Sequence, residues 1–134
     1  MATNKLQHFI VIDDSKLDCF IAEKVIKNTG KCESVTSFLQ AQEALEFIKQ
    51  NSLNSLDPII VLVDIQMPIM NGFEFVEAFE KLPVNTRKNY HIYVISSSIN
   101  DNDLTKIPQY PSVIQFINKP LTSNNLSALL AKDK

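Results

Sequence analysis

Acidic residues stand at two places where a run of mostly apolar residues ends. Asp13 and Asp14 follow residues 8–12, and Asp64 follows residues 59–63. Five consecutive apolar residues predict a strand buried on both faces, as at the centre of a parallel sheet. An acid at the carboxyl end of such a strand lies where open α/β sheets place their ligand chemistry. Taken alone, Asp64 is equally well explained as a cap for the segment that follows it.

A hydroxyl and a lysine follow two later strand-like segments. Ser96 comes after residues 90–95, and Lys119 comes shortly after residues 113–117. If the strands have the order 2-1-3-4-5, strands one and four flank strand three. The acid pair and Ser96 then lie within side-chain reach of Asp64. Lys119 is two strands away, roughly 10 Å at the backbone, a gap that its long side chain can largely span.

Three carboxylates in one cluster need a cation. Two unit charges about 4 Å apart repel by about 4 kcal/mol at an effective dielectric of about 20, and Lys119 supplies one positive charge. Mg²⁺ fits the remainder, because it binds through one or two carboxylates together with waters and phosphate oxygens. Asp64 could then act as a nucleophile on a phosphoryl group. Ser96 and Lys119 could each bond to a phosphoryl oxygen.

Helical patterns separate the five predicted strands. Ser15 is the predicted N-cap of a first helix that runs to about Asn28, and Gly30 follows its end. The expected apolar face of that helix comprises Leu17, Phe20, Ile21, Ala22 and Val25. The inner faces predicted for the second, third and last helices are Ala41, Ala44, Leu45 and Ile48; Phe75, Val76 and Phe79; and Leu126, Leu129 and Leu130.

The remaining segments complete a repeating strand–helix order. Residues 51–58 predict a turn-rich connector, and residues 101–107 predict a short, weakly patterned helix that Pro108 stops. Five strands alternating with five helices predict an α/β fold: a doubly wound, three-layer, five-stranded parallel sheet of order 2-1-3-4-5, as in flavodoxin-like folds.

Composition excludes several classes of function. The chain has 134 residues, a net charge of −2 and no basic run, so we expect no nucleic-acid partner and no membrane surface. Dinucleotide and P-loop sites need clustered glycines, and only Gly30 and Gly72 are present. Cys19 and Cys32 have neither redox nor zinc-ligand spacing. These features favour a cytoplasmic protein of one domain, residues 1–134, with its core at about 8–131.

Four short motifs carry a resemblance to a known family. They are Asp13-Asp14 after strand one, residues 64–72 from Asp64 to Gly72, Ser96-Ser97 after strand four, and Lys119-Pro120 after strand five. Any one of them is weak, but all four in this order and spacing are specific. Over about residues 8–131 the chain resembles the receiver domains of two-component response regulators, including the single-domain regulators of chemotaxis.

The resemblance implies a role for each motif residue. Asp64 would accept a phosphoryl group, and Lys119 would contact it. Asp14, Asp64 and the backbone carbonyl of Gln66 would bind Mg²⁺, with Asp13 acting through a water. Ser96 would be the switch hydroxyl, in place of the commoner Thr, and Phe116 the aromatic switch residue. Lys119-Pro120 would be a cis peptide.

The resemblance also implies partners. The phosphoryl donor would be a sensor histidine kinase or a histidine phosphotransfer protein, and the fourth helix, fifth strand and fifth helix would signal to a downstream protein. We expect no output domain after the last helix, and the question of a homodimer linked to phosphorylation stays open. The chain would be a signalling switch and not an enzyme. The only reactions that it would catalyse are its own Mg²⁺-dependent phosphorylation and dephosphorylation. Two alternatives remain: a phosphatase with an aspartate nucleophile, disfavoured by Gln66 at the usual general-acid position, and a receiver that binds partners without phosphorylation.

Overall fold

The computed structural model describes residues 7–50, 58–97 and 101–132. Residues 1–6 and most of the predicted 51–58 connector lie outside these ranges. The strands are β1 (Gln7–Ile12), β2 (Cys32–Phe38), β3 (Ile59–Asp64), β4 (Tyr90–Ser96) and β5 (Val113–Asn118). All of them are parallel and their order is β2-β1-β3-β4-β5, which confirms the predicted α/β fold and strand order.

Six helices lie in the described ranges, one more than predicted. They are α1 (Lys16–Asn28), α2 (Ala41–Gln50), α3 (Gly72–Glu80), α4 (Val84–Arg87), α5 (Asp101–Lys106) and α6 (Ser123–Lys132). Helix α4 is a single turn after Pro83, too short to show a helical period. Pro108 does not end the helical path, because a 3-10 turn, Ile107–Gln109, continues from α5. None of the described helices is long and apolar enough to cross a membrane.

The central strand β3 divides the core into two layers. All six of its residues are buried, and it pairs with β1 on one side and β4 on the other. Its side chains alternate between the sheet faces, as the two-residue period of a strand requires. Val61 and Val63 pack on the face covered by α2 and α3, whereas Ile60 and Leu62 pack on the face covered by α1 and α6.

The predicted inner faces of three helices are confirmed. The named apolar residues of α2, α3 and α6 are all buried, with exposed fractions from 0% to 7%. Phe73 is buried as well, and its ring stacks on Tyr110 at a centroid distance of 5.6 Å. Helix α5 buries no residue, in agreement with its weak pattern.

The predicted inner face of α1 is wrong in large part. Of its members only Ala22 is buried and Val25 half-buried, while Leu17, Phe20 and Ile21 are exposed at 66%, 56% and 41%. The buried residues are Cys19, Ala22 and Ile26, which also have helical spacing. Two apolar stripes overlap on this helix, and periodicity does not distinguish them. The orientation of α1 about its own axis agrees with two local contacts. Ser15 caps the helix, and the Cys19 thiol donates to the Asp13 carbonyl at 3.3 Å.

Candidate functional site

The carboxylates at the ends of β1 and β3 converge. Residues Ile12 and Val63 are paired across the two strands, so the next residues, Asp13 and Asp64, lie side by side. Asp13 is 1% exposed and Asp64 6%, whereas Asp14 faces solvent. One oxygen from each of these three carboxylates lies within 4.8 Å of the others. The predicted acid cluster is therefore present at the carboxyl edge of the sheet.

Backbone amides fix the two buried carboxylates. The N–H of Ser15 donates to Asp13 Oδ1 at 3.0 Å, and the N–H of Gln66 donates to Asp64 Oδ1 at 3.1 Å. Both are bonds from the residue two positions later, which is how an Asp ends a strand and starts a turn. The second oxygen, Oδ2, of each carboxylate faces the same cation.

That cation is the ammonium group of Lys119. Its Nζ donates to Asp13 Oδ2 at 2.8 Å and to Asp64 Oδ2 at 3.3 Å. A hydrogen bond to β4 positions the backbone of Lys119: its N–H donates to the carbonyl of Ser96 at 2.9 Å. The Lys119-Pro120 peptide is cis, as the resemblance implies. The lysine side chain thus spans the distance of two strands, as expected from the strand order.

A fourth carboxylate, which the sequence analysis did not single out, also binds the ammonium. Lys119 Nζ donates to Asp18 Oδ2 at 2.8 Å. Asp18 lies in the first turn of α1, where its own N–H donates to Ser15 Oγ at 3.2 Å. An acid three residues after an N-cap reads as an ordinary helix-start residue. Only the tertiary placement of α1, which brings its first turn to Lys119, reveals this second contact.

Opposing effects act on the pKa of the Asp64 carboxyl group. Burial raises the pKa of its carboxyl above the usual value, and the charge of Asp13 adds to this, while the Gln66 N–H and Lys119 act in the opposite direction. For Lys119, burial lowers the pKa, but hydrogen bonds to Asp13 and Asp18 outweigh it and leave the pKa above normal. The lysine therefore stays charged and offsets part of the cost of ionising Asp64.

The donor set fits a hard divalent cation. With all groups ionised, the four carboxylates carry four negative charges and Lys119 one positive charge, which leaves −3. The exposed carboxylate of Asp14 has no hydrogen bond or ion pair with any residue of the described ranges, so it is available to a ligand. Oxygen ligands at an open edge suit Mg²⁺, which keeps several waters.

The other predicted site residues lie around this cluster. Ser96 is fully buried at the end of β4, one position beyond Ile95, which pairs with Asp64. Gln66 is exposed in the loop after β3. Phe116 is half-buried on β5 and packs against the core on the face covered by α2 and α3.

A closely packed turn holds the end of β3. Gly72 begins α3, and its N–H donates to the carbonyl of Ile65 at 3.0 Å. A Cβ atom added at Gly72 would lie only 2.6 Å from the backbone oxygen of Asp64. Asn71 and Glu74 form a capping box on α3, each side chain accepting from the other's backbone N–H at 2.9 Å. Between them and the strand, Ile69 has a positive φ of 70°.

Known proteins match this sequence over most of its length. Residues 9–131 match the family model described as the response regulator receiver domain. The chain is 27% identical over 123 residues to the sensor histidine kinase CheAY of Helicobacter pylori, which covers 92% of this chain but 14% of that protein. The curated relatives it matches are thus much longer than this chain.

Solved structures match over nearly the whole chain. A response regulator receiver protein from Dyadobacter fermentans is 34% identical, with a TM-score of 0.83, and the match covers 94% of this chain and 96% of that one. A two-component response regulator from Cytophaga hutchinsonii is 26% identical, with a TM-score of 0.85 and 96% coverage of both chains.

Proposed function

Because the chain belongs to the response regulator receiver domain family, we propose that it accepts a phosphoryl group on Asp64 and signals through a protein contact. One observation carries the proposal. Asp64 is a buried acid at the end of the central strand, and its Oδ2 lies 3.3 Å from an ammonium and close to two further carboxylates. The residues proposed as nucleophile, cation ligands and phosphoryl contact thus lie close together at one edge of the sheet, which supports the proposal.

In the proposed transfer, one bond to phosphorus forms while another breaks. A carboxylate oxygen of Asp64 attacks the phosphorus of a phosphohistidine, the P–N bond breaks, and its electron pair returns to the leaving imidazole, which then takes up a proton. Lys119 loses its longest hydrogen bond, the one to Asp64, and donates instead to a phosphoryl oxygen. The Ser96 hydroxyl donates to another.

Mg²⁺ is the proposed cofactor. Asp14 and Asp64, with the backbone carbonyl of Gln66, would hold it, and Asp13 would act through a water. When bound, the ion neutralises charge on the incoming phosphoryl oxygens. The surplus negative charge of the cluster and the unpaired carboxylate of Asp14 support this assignment.

The proposed output surface comprises α5, β5 and α6. Phosphorylation adds about −1.5 to −2 charges at the cluster. Ser96 and Lys119 lie at the ends of β4 and just after β5, so a change in their hydrogen bonds acts directly on these elements. Helix α5 buries no residue and can shift at small cost, and the half-buried ring of Phe116 lies on β5 as the second switch residue.

The proposed donor is a sensor histidine kinase or a histidine phosphotransfer protein, and the proposed location is the cytoplasm. A kinase is among the relatives, and the two free cysteines suit a reducing compartment. The exposed apolar residues Leu17, Phe20 and Ile21 on α1 offer a donor protein a contact surface beside the cluster. A downstream protein would bind the output surface.

Acetyl phosphate and intact-mass measurement test the proposal. Wild type should gain one phosphoryl group with Mg²⁺ and none after chelation, and Asp64→Asn should gain none. Asp101→Asn, an equal change of charge at the exposed start of α5, should behave as wild type. Failure of the wild type to gain a phosphoryl group with Mg²⁺ would refute phosphoacceptance and favour a receiver that binds partners unmodified.

A further inference from the structure

The Lys119 ammonium uses all three of its N–H donors on carboxylates, but not equally. The bonds to Asp13 and Asp18 are 2.8 Å long, whereas the bond to Asp64 is 3.3 Å long. An ammonium on a four-carbon stem has no fixed donor geometry of its own. Its position is therefore set by the two short bonds, which direct the third N–H toward Asp64.

Of the two short partners, Asp13 has a second proposed task and Asp18 has none. Asp13 is nearly buried and belongs to the carboxylate set proposed for Mg²⁺. The side chain of Asp18 is 38% exposed and lies outside that set, on the first turn of α1. Asp18 can thus hold the ammonium whatever the charge on the other carboxylates.

We propose that Asp18 is a positioning residue for phosphoryl transfer, which holds Lys119 Nζ where it meets the phosphoryl group on Asp64. This inference rests on the proposed function. The alternative is that Asp18 only stabilises the start of α1, as acids in the first turn of a helix do. The two roles differ in whether the effect of Asp18 depends on Lys119.

The test compares phosphorylation rates across acetyl phosphate concentrations for wild type and variants. Asp18→Asn keeps an oxygen acceptor but loses the charge, and we expect its maximal rate to fall about fivefold, as for loss of one partly exposed charge-assisted bond. The half-saturating concentration should not rise, because removal of a negative charge favours an anionic donor. Asp18→Glu should restore most of the rate.

A matched control separates charge at a helix start from contact with Lys119. Glu43 is exposed in the first turn of α2, so Glu43→Gln removes the same charge from an equivalent position away from the cluster. Its rate should equal that of wild type. In a Lys119→Met background, Asp18→Asn should have no further effect, since the cation through which it acts is gone.

A second measurement needs no phosphorylation. Nitrogen relaxation of the Lys119 ammonium group should show greater mobility in Asp18→Asn than in wild type or Glu43→Gln. A wild-type maximal rate in Asp18→Asn, or an equal loss of rate in the Lys119→Met background, would overturn the inference alone. A wild type that takes no phosphoryl group would instead refute the proposed function, and the positioning role with it.

Discussion

Gly72→Ala should destabilise the protein although it adds only one methyl group. The new Cβ would lie 2.6 Å from the backbone oxygen of Asp64 and 2.9 Å from the Cα of Ile65. Both contacts are with backbone atoms, which cannot rotate away as a side chain would. Either the start of α3 or the end of β3 must therefore move, and the second choice displaces the residue proposed as phosphoacceptor.

The magnitude follows from two opposing contributions. Overpacking at a well-packed position costs about 1–3 kcal/mol, and a contact this short falls at the upper end. Replacing glycine recovers about 0.4–1 kcal/mol through the unfolded state. We expect a net loss of about 2 kcal/mol. With an unfolding entropy of about 2.1 cal/mol/K per residue, this chain should melt about 7 °C lower.

Thermal and urea unfolding provide the assay, and Gly30 provides the control. Gly30 has a φ of 73°, but among the described residues other than its chain neighbours no heavy atom lies within 4 Å of an added Cβ. Gly30→Ala should therefore cost only about 1 kcal/mol, for backbone strain, and Gly30→Asn less, because Asn tolerates that conformation. If Gly72→Ala melted within about 1 °C of wild type, the close contact would not constrain the turn, and this reasoning would be refuted.

Three further predictions concern other residues. Ile69 is 89% exposed and is a β-branched residue at positive φ. Ile69→Asn should therefore raise the melting temperature by about 4 °C, equivalent to about 1 kcal/mol of relieved backbone strain. A variant that melts below wild type would contradict this strain. Burial and, secondarily, the charge of Asp13 raise the pKa of Cys19 to about 11. At mildly alkaline pH iodoacetamide should therefore modify half-buried Cys32 first and Cys19 only in urea; peptide mapping that finds Cys19 modified first would disprove this. The Tyr110 hydroxyl donates to Glu77 at 2.6 Å, and this hydrogen bond raises the pKa of the Tyr110 hydroxyl to about 12. This hydrogen bond should persist at neutral pH and be lost as pH rises through about 12. In the Glu77→Gln variant, ultraviolet titration should show Tyr110 ionising nearer the ordinary pKa of tyrosine. An unchanged titration curve would exclude the hydrogen bond.

The sheet and the acid cluster could be predicted because they depend on local signals. A run of apolar residues marks each central strand, and parallel strands bring their carboxyl ends to one edge. Asp13, Asp64 and Lys119 each follow such a run closely, so their convergence is predictable without any tertiary contact. Strand order then sufficed to show that Lys119 could reach the acids.

The features that were missed depend on how elements pack. Helix α1 carries two apolar stripes, and its placement on the sheet decides that Cys19 and Ile26 are buried while Phe20 is exposed. The same placement brings Asp18 to Lys119, a contact for which the sequence has no local signal. Helix α4, at Val84–Arg87, spans only about one helical turn, so no apolar spacing can recur along it.

The ammonium of Lys119 also joins distant parts of the chain. Its partners Asp13, Asp18 and Asp64 precede it by 106, 101 and 55 positions. Contacts that close such long loops are costly in entropy and slow to form during folding. The cluster needs β1 and β5 in the same sheet, so it cannot form before β5 has joined that sheet. If Asp64 accepts a phosphoryl group as proposed, that competence should be acquired at the end of folding, and a partly folded chain should give no false signal.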